Sequence, residues 1–227
     1  MRKVHEIYLY DQSLLGQQLL EPNFPMHASA KYSELKCGDL SVLFGPTRLM
    51  RKETSDGSAL SCSSIVDVGM GLGKLVFQLF LQFRTQCQHI YGLEISSERF
   101  RYAQEKWKEI AAVHHLVAVE ESSDKVRYLD NTTEDPSEVG LVLGSALEMK
   151  SGFWAKFDNL ILNVQFPPLQ TLKLLTWLSS LRPGTRIMSA HKFDESLPTN
   201  LVLLEETELE TTDPLPQKFW FYIVSFG

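Results

Sequence analysis

Three alternating glycines form the most informative segment of this sequence of 227 residues, Asp67-Val68-Gly69-Met70-Gly71-Leu72-Gly73. Its first two residues are the end of a short β-branched run, residues 65–68, which is typical of a buried strand. Glycines lack a Cβ, so they let the backbone turn sharply into a helix and let a ligand lie against the main chain. The spacing G-x-G-x-G behind an acid differs from the G-x-G-x-x-G of dinucleotide sites. It is typical of enzymes that use S-adenosylmethionine, and the alternative is a turn that binds nothing.

A second carboxylate, Glu94, ends the next strand-like run, residues 89–94. An acid at this place in a nucleoside-binding βαβ unit can accept hydrogen bonds from ribose hydroxyls, and we expect Glu94 to accept from both. Taken alone, Glu94 could equally be an ordinary surface carboxylate. Together with the glycine loop it predicts a nucleoside cofactor.

Alternating strands and helices must position these residues. Residues 74–83 are a helix candidate that is apolar almost all round, and 96–112 are an amphipathic helix with Ser96 or Ser97 as N-cap. A further helix should run from Pro168 to about residue 180, whereas the acidic stretch 120–138 reads as loop. Later strands are expected at 139–143, 160–164, 185–190, 201–204 and 219–226.

This order of elements predicts an α/β fold. We expect a Rossmann-like class I methyltransferase fold, with a mostly parallel doubly wound sheet and an antiparallel C-terminal edge. Residues 1–62 would form a lead-in with loops that cover the cofactor, and residues 63–227 the methyltransferase core.

The charge, the cysteine content and the apolar runs of the sequence argue against several classes of protein. With 22 Lys plus Arg against 28 Asp plus Glu, the net charge is −6, which argues against the broad basic surface of a nucleic-acid binder. Three cysteines without a C-x-x-C pair argue against a disulfide framework and a structural zinc site, and no metal is expected. No apolar run reaches the ~18 residues of a membrane span, so we expect a soluble intracellular protein without a membrane partner.

The motifs resemble the disruptor-of-telomeric-silencing family of histone-lysine methyltransferases, which lack a SET domain. Residues 67–80 and Tyr91-Gly92-Leu93-Glu94 carry the resemblance. Tyr32-Ser33-Glu34, the run 160–163 followed by Phe166, and residues 184–189 are similar to three further family motifs. The resemblance spans roughly residues 31–226 and is patchy between the motifs. It implies methyl transfer from S-adenosylmethionine to a lysine in the globular core of a nucleosomal histone, and a nuclear location.

The resemblance also implies site residues. Those expected to bind the cofactor are Tyr32, Ser33, Glu34, Leu35, Asp67, Gly69, Met70, Gly71, Leu72, Gly73, Lys74, Glu94, Ile95, Ser145, Ala146 and Asn163. Those expected to line a lysine channel, and so to be catalytic, are Asn163, Phe166, Trp220 and Tyr222. For the last two, core or edge packing is an equal alternative. Lys74 and the Ser145-Ala146 pair depart from the family pattern and suggest a divergent branch, such as a protozoan one.

Three alternatives remain open. The basic residues Arg48, Arg51 and Lys52 could contact histone or DNA, or form a solvated face. The segment 163–168, Asn-Val-Gln-Phe-Pro-Pro, also invites comparison with the Asn-Pro-Pro-Tyr loop of enzymes that methylate amide or base nitrogens, although the order differs. The chain could therefore act on another protein or on a nucleic-acid nitrogen, or be an inactive cofactor-binding scaffold. His191 reads as a surface residue.

Overall fold

A central sheet between two layers of helices carries the site. The computed structural model describes residues 40–49, 52–53, 60–61, 64–132, 136–164, 166, 171–193, 198–211 and 216–226, with the backbone alone at 52–53, 60–61 and 171. The strands are β1 Lys52–Glu53, β2 Leu60–Ser61, β3 Ser64–Val68, β4 His89–Glu94, β5 Val117–Glu121, β6 Lys125–Asp130, β7 Ser137–Leu143, β8 Asn159–Leu162, β9 Arg186–Ser189, β10 Leu201–Leu209 and β11 Gln217–Val224. The helices are a 3-10 turn Leu40–Leu43, α1 Lys74–Phe83, α2 Ser97–His114, α3 Ser151–Trp154 and α4 Thr171–Ser179.

Strand order confirms the predicted fold class. The large sheet runs β10-β11-β9-β8-β3-β4-β7-β6-β5, and β9, β8, β3, β4 and β7 are parallel. From β3 the chain moves outward through β4 to the edge strand β5, comes back through β6 and β7, and then crosses to β8 on the other side of β3. Ligands of open α/β sheets bind at such a reversal, outside the carboxyl ends of the strands. The topology therefore places a ligand crevice above β3 and β8.

Side chains that alternate along each strand build two cores. On one face, α1 and α2 pack on the sheet around the fully buried Trp107, whose ring meets Phe77 and Phe80 edge-on. Residues 40–49 join this core. On the other face, α3 and α4 contribute Trp154 and Trp177. Both faces of the parallel strands are thus covered, as such sheets require.

The prediction of a loop over residues 120–138 was wrong. Strands β5 and β6 form an antiparallel hairpin there, and β6 extends the sheet by pairing antiparallel with β7. In β6, Val126, Tyr128 and Asp130 are buried while the residues between them are partly exposed. This period of two marks a strand, but charged residues on the exposed side hid it.

Other elements lie close to the predictions. Ser96 is the N-cap of α2, since its side chain accepts a hydrogen bond from the Arg99 backbone N–H at 3.2 Å. Strands β10 and β11 are the predicted closing antiparallel pair. The expected lead-in, residues 1–62, is described only in part, so its boundary with the core stays a prediction. None of the described helices has the length and apolar character needed to cross a bilayer.

Candidate functional site

The glycine loop joins β3 to α1 at the reversal of the sheet. Gly69, Gly71 and Gly73 have φ values of 76°, 57° and 80°. This left-handed region is costly for residues with a Cβ, which explains why glycine occupies every second position. The spacing of the three glycines in the sequence therefore follows from the backbone conformation of the loop.

Backbone hydrogen bonds hold this loop against the end of β4. The N–H groups of Gly69 and Met70 both donate to the Leu93 carbonyl, at 2.8 and 3.0 Å. The Gly71 N–H donates to Oε2 of Glu94 at 2.8 Å. The loop thus links the carboxyl ends of β3 and β4, the two strands that carry the predicted acids Asp67 and Glu94.

Glu94 is more deeply enclosed than the sequence suggests. Its side chain is buried, and Oε1 accepts hydrogen bonds from the Ile95 and Ser96 N–H groups at 2.9 and 2.8 Å. A carboxylate offers about four acceptor positions, and at least three are occupied here. Glu94 as it stands can accept from one ribose hydroxyl rather than both. Burial raises the pKa of Glu94 above its ordinary 4.5, and the three N–H donors and Arg99 oppose this shift.

The remaining residues predicted to bind the cofactor lie on several elements. Gly144, which follows β7, donates its N–H to the Glu94 carbonyl at 2.8 Å, and Ser145 and the buried Ala146 come next in the chain. Asp67 is buried on the same sheet face as Ile65, and the half-buried Lys74 opens α1. Tyr32, Ser33, Glu34 and Leu35 lie outside the described residues.

The end of β8 lies directly against the glycine loop. A Cβ built on Gly69 would stand 2.8 Å from the Val164 Cβ, closer than ordinary contact. Asn163 and Phe166 flank this contact, and both are half-buried. Phe166 packs against the core on the α3 and α4 side. Asn163, the neighbour of Val164 in the chain, thus lies close to the glycine loop, whereas the roles of Asn163 and Phe166 stay predictions.

Trp220 and Tyr222 lie on the same side of β11 but differ in setting. Trp220 is half-buried and pairs with Ser189, the last residue of β9. Tyr222 is buried in the core, and its hydroxyl accepts a hydrogen bond from the Phe193 N–H at 3.0 Å. Its burial and this hydrogen bond fit the packing role that the sequence left open as the alternative, and a channel role for Tyr222 stays a prediction.

Arg48 is not available for a partner. Its guanidinium donates twice to Oε1 of Glu205, at 3.0 and 2.7 Å, and lies 5.7 Å from the centre of the Phe221 ring. The side chain is only about a quarter exposed. The predicted contact with histone or DNA is therefore wrong for Arg48, because the side chain ties the segment 40–49 to β10. Arg51 and the Lys52 side chain lie outside the described residues.

No protein-family model and no curated protein matches the chain. Solved structures do match in fold. TrmN from Thermus thermophilus superposes with a TM-score of 0.50 at 14% identity, over 72% of this chain and 44% of that chain. The chain has the class I methyltransferase fold. It spans less than half of the length of TrmN.

Two further structures are similar at lower scores. The M1A22 tRNA methyltransferase TrmK of B. subtilis has a TM-score of 0.48 at 13% identity, over 73% of this chain and 61% of that one. TrmK of M. capricolum, in complex with S-adenosyl-homocysteine as the natural cofactor product, has a TM-score of 0.43 at 12% identity, over 71% of this chain and 62% of that one.

These findings correct the expected family. Several of the structures that match are named as tRNA or rRNA methyltransferases, which does not fit the expected histone-lysine enzymes of the disruptor-of-telomeric-silencing family. The identification with that family was wrong, and so was the nucleosome or core-histone partner that it implied. The nuclear location came from the same resemblance and stays a prediction.

Proposed function

We propose that this chain is an S-adenosylmethionine-dependent methyltransferase that acts on a nitrogen of a nucleic-acid base. The observation that carries the proposal is the contact between Gly69 and Val164. It sets the segment that begins with Asn163 directly beside the loop on which the cofactor would lie. A base held by that segment would therefore be next to the methyl donor.

The residues on the cofactor side fit S-adenosylmethionine. The glycine loop joins β3 to α1 at the reversal of the sheet, where ligands of such sheets bind, and the remaining acceptor position on Oε2 of Glu94 suits a ribose hydroxyl. Ser145 follows Gly144, whose N–H donates to the Glu94 carbonyl, and would offer a hydroxyl for the adenine amino group. When bound, S-adenosylmethionine supplies a methyl group activated by its sulfonium.

The residues on the acceptor side fit a flat base. The Asn163 amide carries both donors and an acceptor, which match the edge of a nucleobase, and Phe166 offers a ring on which the base can stack. The names of the matching structures, which include tRNA and rRNA methyltransferases, point to RNA as the nucleic acid. At a net charge of −6, phosphate contacts should contribute little, so we expect RNA affinity to depend weakly on salt.

The test is methyl transfer from labelled S-adenosylmethionine to four acceptors: tRNA, rRNA, DNA and core histones. We expect label on RNA, located to one base by nuclease digestion and mass spectrometry. At a limiting cofactor concentration Glu94→Gln should strongly reduce the label, whereas substitution of Glu109, an exposed carboxylate on α2, by Gln should leave it unchanged. Label on protein alone would contradict the base acceptor. Cofactor binding without any label would favour the inactive scaffold.

A further inference from the structure

A second row of residues continues the rim of the site away from the glycine loop. Leu162 pairs with Ser189, Ser189 with Trp220, and Trp220 with Glu206. Because paired strands lie about 4.8 Å apart, Ser189 is one strand spacing and Trp220 two from the end of β8. We call Ser189, His191, Glu206 and Trp220 the β9–β11 rim.

His191 is fixed at this rim by its backbone. Its N–H donates to the Ser189 hydroxyl at 3.0 Å, and Ser189 is itself buried. Its side-chain Nε2 is buried and makes no hydrogen bond within the part of the chain that the structure describes. Buried imidazole nitrogens normally have partners, so this atom is suited to a ligand's hydrogen bond.

Among the residues that the structure describes, few charges lie on the elements around His191, and they are partly compensated. Lys192 follows it in the chain and is exposed. On the neighbouring strands, Glu206 of β10 and Lys218 of β11 form an ion pair at 2.8 Å. Burial alone lowers the pKa of His191 below its ordinary 6.5, so the imidazole is neutral at pH 7 and Nε2 can be in the tautomer that accepts a proton.

Trp220 provides a flat surface on the strand next to Ser189, the residue whose hydroxyl holds the His191 backbone. Its indole Nε1–H donates to Oε2 of Glu206 at 2.9 Å, and Lys218 holds the other oxygen of the same carboxylate. The indole is therefore held in one orientation while part of it stays exposed. Held aromatic rings of this kind are the usual stacking platforms for unpaired bases.

We propose that Trp220 stacks on the acceptor base and that His191 Nε2 takes the proton which the base nitrogen loses on methylation. This rests on the proposed function. The nitrogen lone pair forms the N–C bond to the methyl carbon, and the C–S bond breaks with its electron pair remaining on sulfur. The N–H proton moves to Nε2, and the imidazolium then releases it to water. The acceptor is thus a nitrogen that carries hydrogen, such as an exocyclic amine.

The kinetic test compares His191→Gln with Lys192→Gln, its exposed neighbour. General-base catalysis is worth about 10²–10⁴-fold, so His191→Gln should lower kcat by that factor with little change in the KM for RNA. Lys192→Gln should keep the wild-type kcat. The wild-type rate should fall at acidic pH with an apparent pKa below 6.5, and this fall should vanish in His191→Gln. Unchanged kcat and an unchanged acid limb in His191→Gln would overturn the proton-acceptor role.

A second readout needs no cofactor and no turnover. Adenosine and cytidine 5′-monophosphate are titrated into the cofactor-free chain while the imidazole resonances of His191 and the indole N–H of Trp220 are followed by NMR. Both should shift with one binding curve, and the fully buried indole of Trp107 should not. Resonances of the rim that stay fixed would overturn the stacking site.

The experiments distinguish a failure of the proposed function from a failure of the role proposed for the β9–β11 rim. If the wild-type chain methylates no nucleic acid, the proposed function fails and the β9–β11 rim loses its role with it. If RNA is methylated but His191→Gln retains full kcat, only the inference fails. Urea unfolding of each variant shows whether it is folded, and His191→Asn serves as a second variant with a smaller side chain.

Discussion

The close approach of Gly69 to Val164 makes the sharpest prediction about stability. Gly69→Ala would place a side chain on a backbone with φ +76° and set its Cβ 2.8 Å from the Val164 Cβ. The left-handed backbone costs roughly 1–2 kcal/mol, and forcing extra volume into a packed site costs about 1–3 kcal/mol. The free energy of unfolding should therefore drop by about 2–5 kcal/mol, a large share of the ~5–15 kcal/mol of a typical domain.

Two other glycines separate these two costs. Gly184 has φ +88° but no atom within 4 Å of a built Cβ, so Gly184→Ala should lose only the backbone part, about 1–2 kcal/mol. Gly152 lies in α3 with open space around it and no positive φ, so Gly152→Ala should be neutral or stabilising by about 0.4–1 kcal/mol.

Urea unfolding followed by circular dichroism measures all three variants. Equal losses in Gly69→Ala and Gly184→Ala would show that β8 does not press on the glycine loop. In that case the argument that places Asn163 beside the cofactor would be refuted as well. Cofactor affinity, measured by calorimetry, should fall in Gly69→Ala and stay unchanged in Gly184→Ala.

Three further changes test other contacts. Glu94→Gln should weaken cofactor binding about 10–100-fold by calorimetry, because a hydrogen bond to a charged group contributes roughly 1.5–3 kcal/mol. The raised pKa of Glu94 means that the folded chain holds this proton more tightly than the unfolded chain, so stability should decrease as pH rises from 4.5 through the folded pKa, and this slope should disappear in Glu94→Gln. Tyr222→Phe leaves the buried Phe193 N–H without its acceptor and should cost about 1–3 kcal/mol in urea unfolding. Ala substitutions of Arg48 and Glu205, alone and together, should give a coupling of about 0.2–1 kcal/mol, since both side chains are partly exposed, and leave RNA methylation unchanged.

Each of these has a result that would contradict it. Glu109→Gln is the matched control for Glu94→Gln, and equal cofactor affinity in the two variants would exclude Glu94 from the site. An unchanged urea midpoint in Tyr222→Phe would show that the hydroxyl supports nothing. A fall in RNA methylation on removing Arg48 would restore it as a contact residue.

The sequence predicted those parts of the fold whose signals are local. The N-cap at Ser96 depends only on the residues that follow it in the chain. The glycine loop depends only on the five consecutive residues 69–73. The hairpin β5–β6 was missed because charged residues mask its alternation at the sheet edge. The family was wrong because the matching motifs describe how a cofactor is held and not what is methylated.

Residue types and spacing alone determined the α/β class, the glycine turn with its acid, and the cofactor these suit. Only the tertiary structure decided that Val164 presses on Gly69, that Glu206 holds Trp220, and that Glu94 is already bonded to the loop beside it. These contacts join residues on different strands, and which strands become neighbours depends on the packing of the whole sheet. Periodicity within one segment shows which face is buried, but not what lies against it.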